Sequence, residues 1–116
     1  MKIKFYKMGF VLVLALAAAR LNAGSDLSQL VVFPNPVRVY AGDTQATFNN
    51  ISDQFRIRIY TVHGTLVREI YQMSTNQQFA WDLKNDSGNN VSSGVYVYLV
   101  TNDAGQKRTG KLVIIR

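Results

Sequence analysis

Beyond residue 23, no stretch of the chain keeps apolar residues at i, i+3, i+4 and i+7 for three turns. Apolar and polar residues alternate instead, and alternation is the period of a strand. Phe55, Ile57 and Ile59 alternate with Arg56, Arg58 and Tyr60, which predicts a half-buried strand with the arginines in solvent. His63-Gly64 reads as a hairpin tip with Gly64 at positive φ, and Leu66 to Tyr71 as the returning strand, with apolar residues on both parities. Phe79, Trp81 and Leu83 alternate with Gln78, Ala80 and Asp82, and turn-forming residues crowd Lys84 to Asn90. Val95 to Val100 and Lys107 to Ile115 are further strands, separated by Asn102-Asp103-Ala104-Gly105. Nearer the start, Leu30 to Phe33 runs into Pro34-Asn35-Pro36, which should end or kink an edge strand that Val37 to Tyr40 continues. Ala41-Gly42-Asp43 is a turn, and Gln45 to Phe48 a short strand. About seven short strands predict an all-β, immunoglobulin-like antiparallel sandwich, with a five-stranded barrel of the OB type as the alternative.

The first 23 residues have another character. Lys2, Lys4 and Lys7 precede Met8 to Ala19, 12 residues without charge, and Ala23 stands before a polar start. This is the layout of a secretory signal peptide, and the apolar run is too short for a spanning helix. Cleavage is expected between Ala23 and Gly24, with Ala19 as the alternative, so the domains are a signal peptide over 1–23 and one β domain over 24–116. The charge divides at the same place: +4 of the +6 belongs to residues 1–23 and +2 to the 93 that follow. The basic balance is thus largely a targeting feature, and an exported protein with no stable membrane span after cleavage is expected. No nucleic-acid partner is expected either. Arg56, Arg58 and Tyr60 could form a basic-aromatic stripe for single strands, but the broad positive footprint such binding needs is missing.

Catalytic chemistry is sparse. There is one histidine, His63, and no cysteine, which excludes a disulfide scaffold, a thiolate zinc site and a cysteine nucleophile. The seven acids are scattered singly, and neither a phosphate loop nor a nucleophile elbow is present. No enzyme, cofactor or metal site is expected. Asp82, Asn85, Asp86 and Asn89 share a loop and could hold calcium, but their spacing does not match a calcium-loop pattern and Asx residues also cap turns.

Leu112-Val113-Ile114-Ile115 is apolar at four consecutive positions between Lys111 and Arg116. In a sandwich only one parity can face the core. The run is therefore either an edge strand guarded by cations or a recognition strand that joins a partner's sheet.

These segments, in this order, resemble the C-terminal sorting domain of the type IX secretion system and the related immunoglobulin-like domain of the hook-capping protein FlgD. Val32-Phe33-Pro34-Asn35-Pro36 is similar to the opening element of sorting domains. Ile57 to Arg68, with Gly64, resembles the shared strand–turn–strand. Trp81-Asp82 through Gly88, Gly94 and Tyr96 resembles the Trp-Asp-Gly…Gly-Val-Tyr stretch of both families. Gly105, Lys107 and Lys111 to Arg116 resemble the closing segment. The chain departs from the pattern at Leu83, where glycine is usual, and at Thr61, where aspartate is common.

The resemblance implies a non-catalytic exported module, recognised by an outer-membrane translocon and a sortase-like enzyme and delivered to the cell surface. Lys107, Lys111, Leu112, Val113, Ile114, Ile115 and Arg116 are the expected recognition strand. The alternative is a FlgD-like structural or adhesive module with no sorting role. The β domain begins close behind the cleavage point, so a chain without a separate cargo is expected.

Overall fold

A computed structural model describes residues 27–73 and 76–116. The expected signal peptide and its cleavage site at Ala23 and Gly24 lie outside the described residues. Among the described residues eight strands form two sheets: β1 (Val31–Phe33), β2 (Val37–Arg38), β3 (Ala46–Asn49), β4 (Gln54–Thr61), β5 (Leu66–Met73), β6 (Gln78–Trp81), β7 (Gly94–Asn102) and β8 (Lys107–Ile115). One sheet runs β1-β3-β6 and the other β2-β8-β7-β4-β5. Two packed sheets make a sandwich and not a closed barrel.

The alternation read from the sequence maps onto the two faces. Phe55, Ile57 and Ile59 of β4, Val100 of β7 and Leu112 and Ile114 of β8 meet Phe48 of β3 and Trp81 of β6 in the core. Phe48 packs edge-on against Tyr98 with ring centroids 5.4 Å apart, and Trp81 against Tyr96 at 6.4 Å. Tyr98 lies across from Gly110, where a Cβ would overlap its ring and hydroxyl, so the glycine makes room for the aromatic.

Three local features differ from the sequence reading. The edge strand β1 ends at Pro34-Asn35-Pro36 as expected, but this segment, with both X-Pro bonds cis, carries the chain to the other sheet, so Val37 to Tyr40 do not continue β1. β2 then pairs in parallel with β8, the one departure from antiparallel pairing among the described residues (Val37↔Ile114, Arg38↔Ile115). Val39 to Ala41 form a 3-10 turn and no strand, because Gly42 at φ 106 returns its N–H to the Val39 carbonyl and Asp43 accepts from the Arg38 N–H. The mixed parity of β5 comes from a bulge: Ile59 faces Arg68 but Tyr60 faces Leu66, so the apolar set changes side across Val67.

Leu83 has φ 63 and yet is buried, at 2% exposure. A left-handed backbone costs a non-glycine residue about 1–2 kcal/mol, whereas truncating a buried leucine costs about 2–5 kcal/mol. Burial wins, which explains how a leucine is held at this left-handed position. Both Leu83→Ala and Leu83→Gly should therefore lower stability, but glycine escapes the backbone strain. Thermal unfolding should rank Leu83→Gly above Leu83→Ala by about 1 kcal/mol, the reverse of the ordinary order of these residues in a strand or helix.

Candidate functional site

The stretch from Trp81 to Tyr96 carries five of the motif residues, Trp81, Asp82, Gly88, Gly94 and Tyr96, and its turn is built around one carbonyl. Trp81 is fully buried, and its indole Nε1 donates to the Lys84 carbonyl at 2.9 Å. The same carbonyl accepts from the Arg68 guanidinium at 3.0 Å, and Arg68 also pairs with Asp82 at 3.2 Å. Asp82 accepts from the Lys84 N–H, and Asn85 from the N–H groups of Ser87 and Asn89. Gly88, at φ 84, closes the small hairpin. The side-chain oxygens of Asp82, Asn85 and Asp86 are thus turned toward backbone donors and Arg68, and among the described residues no group of three or more His, Cys, Asp or Glu side chains could hold a metal. Tyr96 donates its hydroxyl to the Ser92 carbonyl at 2.6 Å. Gly94 opens β7, and Gly105, at φ 80, turns the chain into β8.

His63 stands exposed at the tip of the β4–β5 hairpin, where Gly64 has φ 91 as the turn requires. Thr61 braces the turn from its first position: its hydroxyl accepts from the Thr65 N–H at 3.2 Å. Beside this hairpin, Thr61, Thr65, Asn85, Asp86, Ser87 and Ser92 contribute to an open polar cleft of about 480 Å³. Arg56 and Arg58 are engaged on the outer sheet face, Arg56 over the Tyr71 ring at 5.0 Å and Arg58 with Glu69 at 2.7 Å.

The last strand divides as the sandwich requires. Leu112 and Ile114 are buried, Val113 is half-buried and Lys107, Lys111 and Ile115 are exposed. Val113 and Ile115 continue an outward apolar row with Val95 and Val97 of β7, through the pairs Val95↔Val113 and Val97↔Lys111. Arg116 anchors the strand's end, donating to the Val91 carbonyl and, through its N–H, to Ser93 Oγ at 2.9 Å. β8 is not the outermost strand, because β2 lies beside Ile114 and Ile115.

Asn35 has a role that the sequence pattern did not reveal. Its amide nitrogen donates to the Lys111 carbonyl at 2.9 Å, and its amide oxygen accepts from the Val113 N–H at 3.1 Å. One side chain therefore stands in for one peptide unit of a neighbouring strand. The prolines on either side lack N–H groups, so they cannot continue that ladder themselves.

A model of the FlgD Ig-like domain family matches residues 38–106. No curated protein matches the chain. Among solved structures, the chain is similar to part of PorZ from Porphyromonas gingivalis, described as an essential bacterial surface component of the type-IX secretion system. The match has 24% identity and a TM-score of 0.66, covering 79% of this chain and 12% of PorZ. It is also similar to part of dimeric latent PorU from the same organism, at 25% identity and a TM-score of 0.54, over 74% of this chain and 9% of PorU. The PorZ likeness is one of fold.

Asn35→Ala should cost about 1 kcal/mol, since each exposed hydrogen bond contributes at the low end of the usual range, and should speed amide exchange at Val113. Asn35→Asp, which keeps the acceptor and loses the donor, should fall between. A second outcome concerns pH. The hydrogen bond from Arg58 holds the Glu69 carboxyl below its ordinary value of 4.5, against a smaller opposing effect of desolvation. A carboxylate depressed in the folded state stabilises the fold above its unfolded value and loses that contribution as pH falls through the folded one. Glu69→Gln should accordingly flatten the loss of stability below about pH 4.5 in an acid titration and leave stability near neutrality little changed.

Proposed function

The chain belongs to the FlgD Ig-like domain family, and from that premise we propose that it is a non-catalytic recognition module of the type IX sorting kind, exported and then read by outer-membrane secretion machinery. The observation that carries this reading is the arrangement of β8. The strand holds the chain's last segment in the sandwich by Leu112 and Ile114, while Lys107, Lys111, Val113 and Ile115 are presented on the outer face. The likeness to parts of PorZ and PorU supports a link to type IX secretion. Support for a binding role over a catalytic one comes from the motif residues themselves: Trp81, Asp82, Gly88 and Tyr96 are committed to packing, turns and internal hydrogen bonds. Among the described residues no helix is long and apolar enough to cross a membrane.

The second reading is a structural or adhesive module with no sorting role. The family match favours it in one respect, since residues 38–106 stop short of both Asn35 and β8.

Deleting residues 111–116 would not separate these readings, because it removes Leu112 and Ile114 from the core. The cleaner test fuses residues 24–116 behind an exported reporter in a bacterium with type IX machinery. Sorting requires the reporter on the cell surface when the outer-membrane translocon is intact and in the periplasm when it is deleted. Surface delivery in both strains, or retention in both, refutes the sorting role. Charge reversal at Lys107 and Lys111, both exposed, should reduce delivery without changing the unfolding temperature by more than about 2 °C.

A further inference from the structure

β8 has two edges, and one of them is incompletely used. β7 pairs with it from Lys107 to Ile114 on one side. On the other side β2 covers Ile114 and Ile115, and the Asn35 amide serves the Lys111 carbonyl and the Val113 N–H. Those contacts fix the parity: odd-numbered residues turn their backbone groups toward this second edge. The N–H groups of Lys107, Thr109 and Lys111 and the carbonyls of Lys107 and Thr109 therefore point away from β7. Among the described residues none of them has a backbone partner. The run is about 13 Å long, enough for four or five residues of an extended chain.

We propose that this open edge of β8 takes up an extended segment of a partner protein as an added strand, and that the segment carries acidic side chains at alternate positions. The proposal rests on the reading of β8 as the recognition strand and names the chemistry of what it recognises. An added strand would receive up to five main-chain hydrogen bonds here, the usual source of affinity when a peptide joins a sheet edge. Its outward side chains would lie beside Lys107, Thr109 and Lys111, which share the outer face with Arg38, Arg56 and Arg58. Within the strands of that sheet Glu69 is the one acid, and it is already paired with Arg58.

The same lysines argue against a second copy of this chain. Antiparallel self-pairing centred on Thr109 would set Lys107 directly opposite Lys111, and like charges placed opposite each other are destabilising. The edge is also bounded at both ends. Asn35 stops it at Lys111. At the start of the strand Arg108 donates to the carbonyls of Leu27 and Ser28, and these residues form one side of a cleft of about 280 Å³ with Gln106 and Lys107.

The test is hydrogen exchange and binding by NMR, using the exported protein as purified from cells and a blocked peptide, Glu-Val-Glu-Thr-Glu. Amide exchange at Lys107, Thr109 and Lys111 should slow at least tenfold on peptide addition. Thr109→Pro should abolish binding, because its nitrogen points away from β7 and the ring would occupy the place of the added strand. Should that variant unfold, as read by Trp81 fluorescence, Lys107→Glu with Lys111→Glu is the substitute. It should weaken the peptide roughly tenfold or more, and a lysine version of the peptide should not bind the native chain. No protection at these three amides, or equal binding by a folded Thr109→Pro variant, overturns the proposal. Failure here is distinct from failure of sorting: reporter delivery that survives Thr109→Pro removes edge addition alone, whereas delivery that ignores the translocon removes the sorting role alone.

Discussion

The indole N–H of Trp81 is the constraint on which the rest of the sandwich depends. A fully buried donor must find an acceptor, since leaving it unpaired would cost about 1–3 kcal/mol. It finds the Lys84 carbonyl three residues on, which requires the chain to turn back at once after β6. That turn places Leu83 in the left-handed region and sends its side chain into the core. Arg68 of β5 then reaches the same carbonyl together with Asp82 and Asp86, so that one point ties the end of the small sheet to the outer strand of the large one. The Trp-Asp pair is thus a device for joining two sheets.

The two faces of the large sheet have separate duties. The inner face is closed by Ile57, Ile59, Val100, Leu112 and Ile114 against the small sheet. The outer face is a mixture of aliphatic rows and cations, with Arg56 and Arg58 stabilised in place by Tyr71 and Glu69. These exposed pairs contribute little to stability. Substitution on the outer face can therefore be made with small effect on folding, while the core positions cannot be varied in the same way.

Most of the sandwich was legible because period-two alternation survives where a strand has one dry and one wet face, as in β4. The β7 and β8 boundaries followed from Gly105 and the Asx residues around it. What could not be read were features set by partners distant in sequence. The crossing at Pro34-Asn35-Pro36 looks like a kink until the second sheet is known. The bulge at Val67 scrambles parity without leaving a turn residue to mark it. The parallel β2–β8 pair joins segments that carry no common pattern. Leu83 was visible as an anomaly, but the reason for it depends on Trp81. On β8 the run of four apolar residues showed that one parity must lie outside the core, but not that Leu112 and Ile114 are the buried pair. The open edge at Thr109 was invisible, since a backbone direction has no residue type of its own.

Asn35 meets Val113 across 78 residues, and among the described residues β2 pairs with β8 alone. A chain that leaves the ribosome or threads a pore with its N-terminus first holds Asn35 ready long before residues 111–115 arrive. Long-range closure of this kind slows folding relative to local pairing. The sandwich is therefore completed last at the place where its opening segment meets its closing one. While the final strand is still in transit the core lacks Leu112 and Ile114, and the order of emergence itself keeps the chain from finishing its fold early.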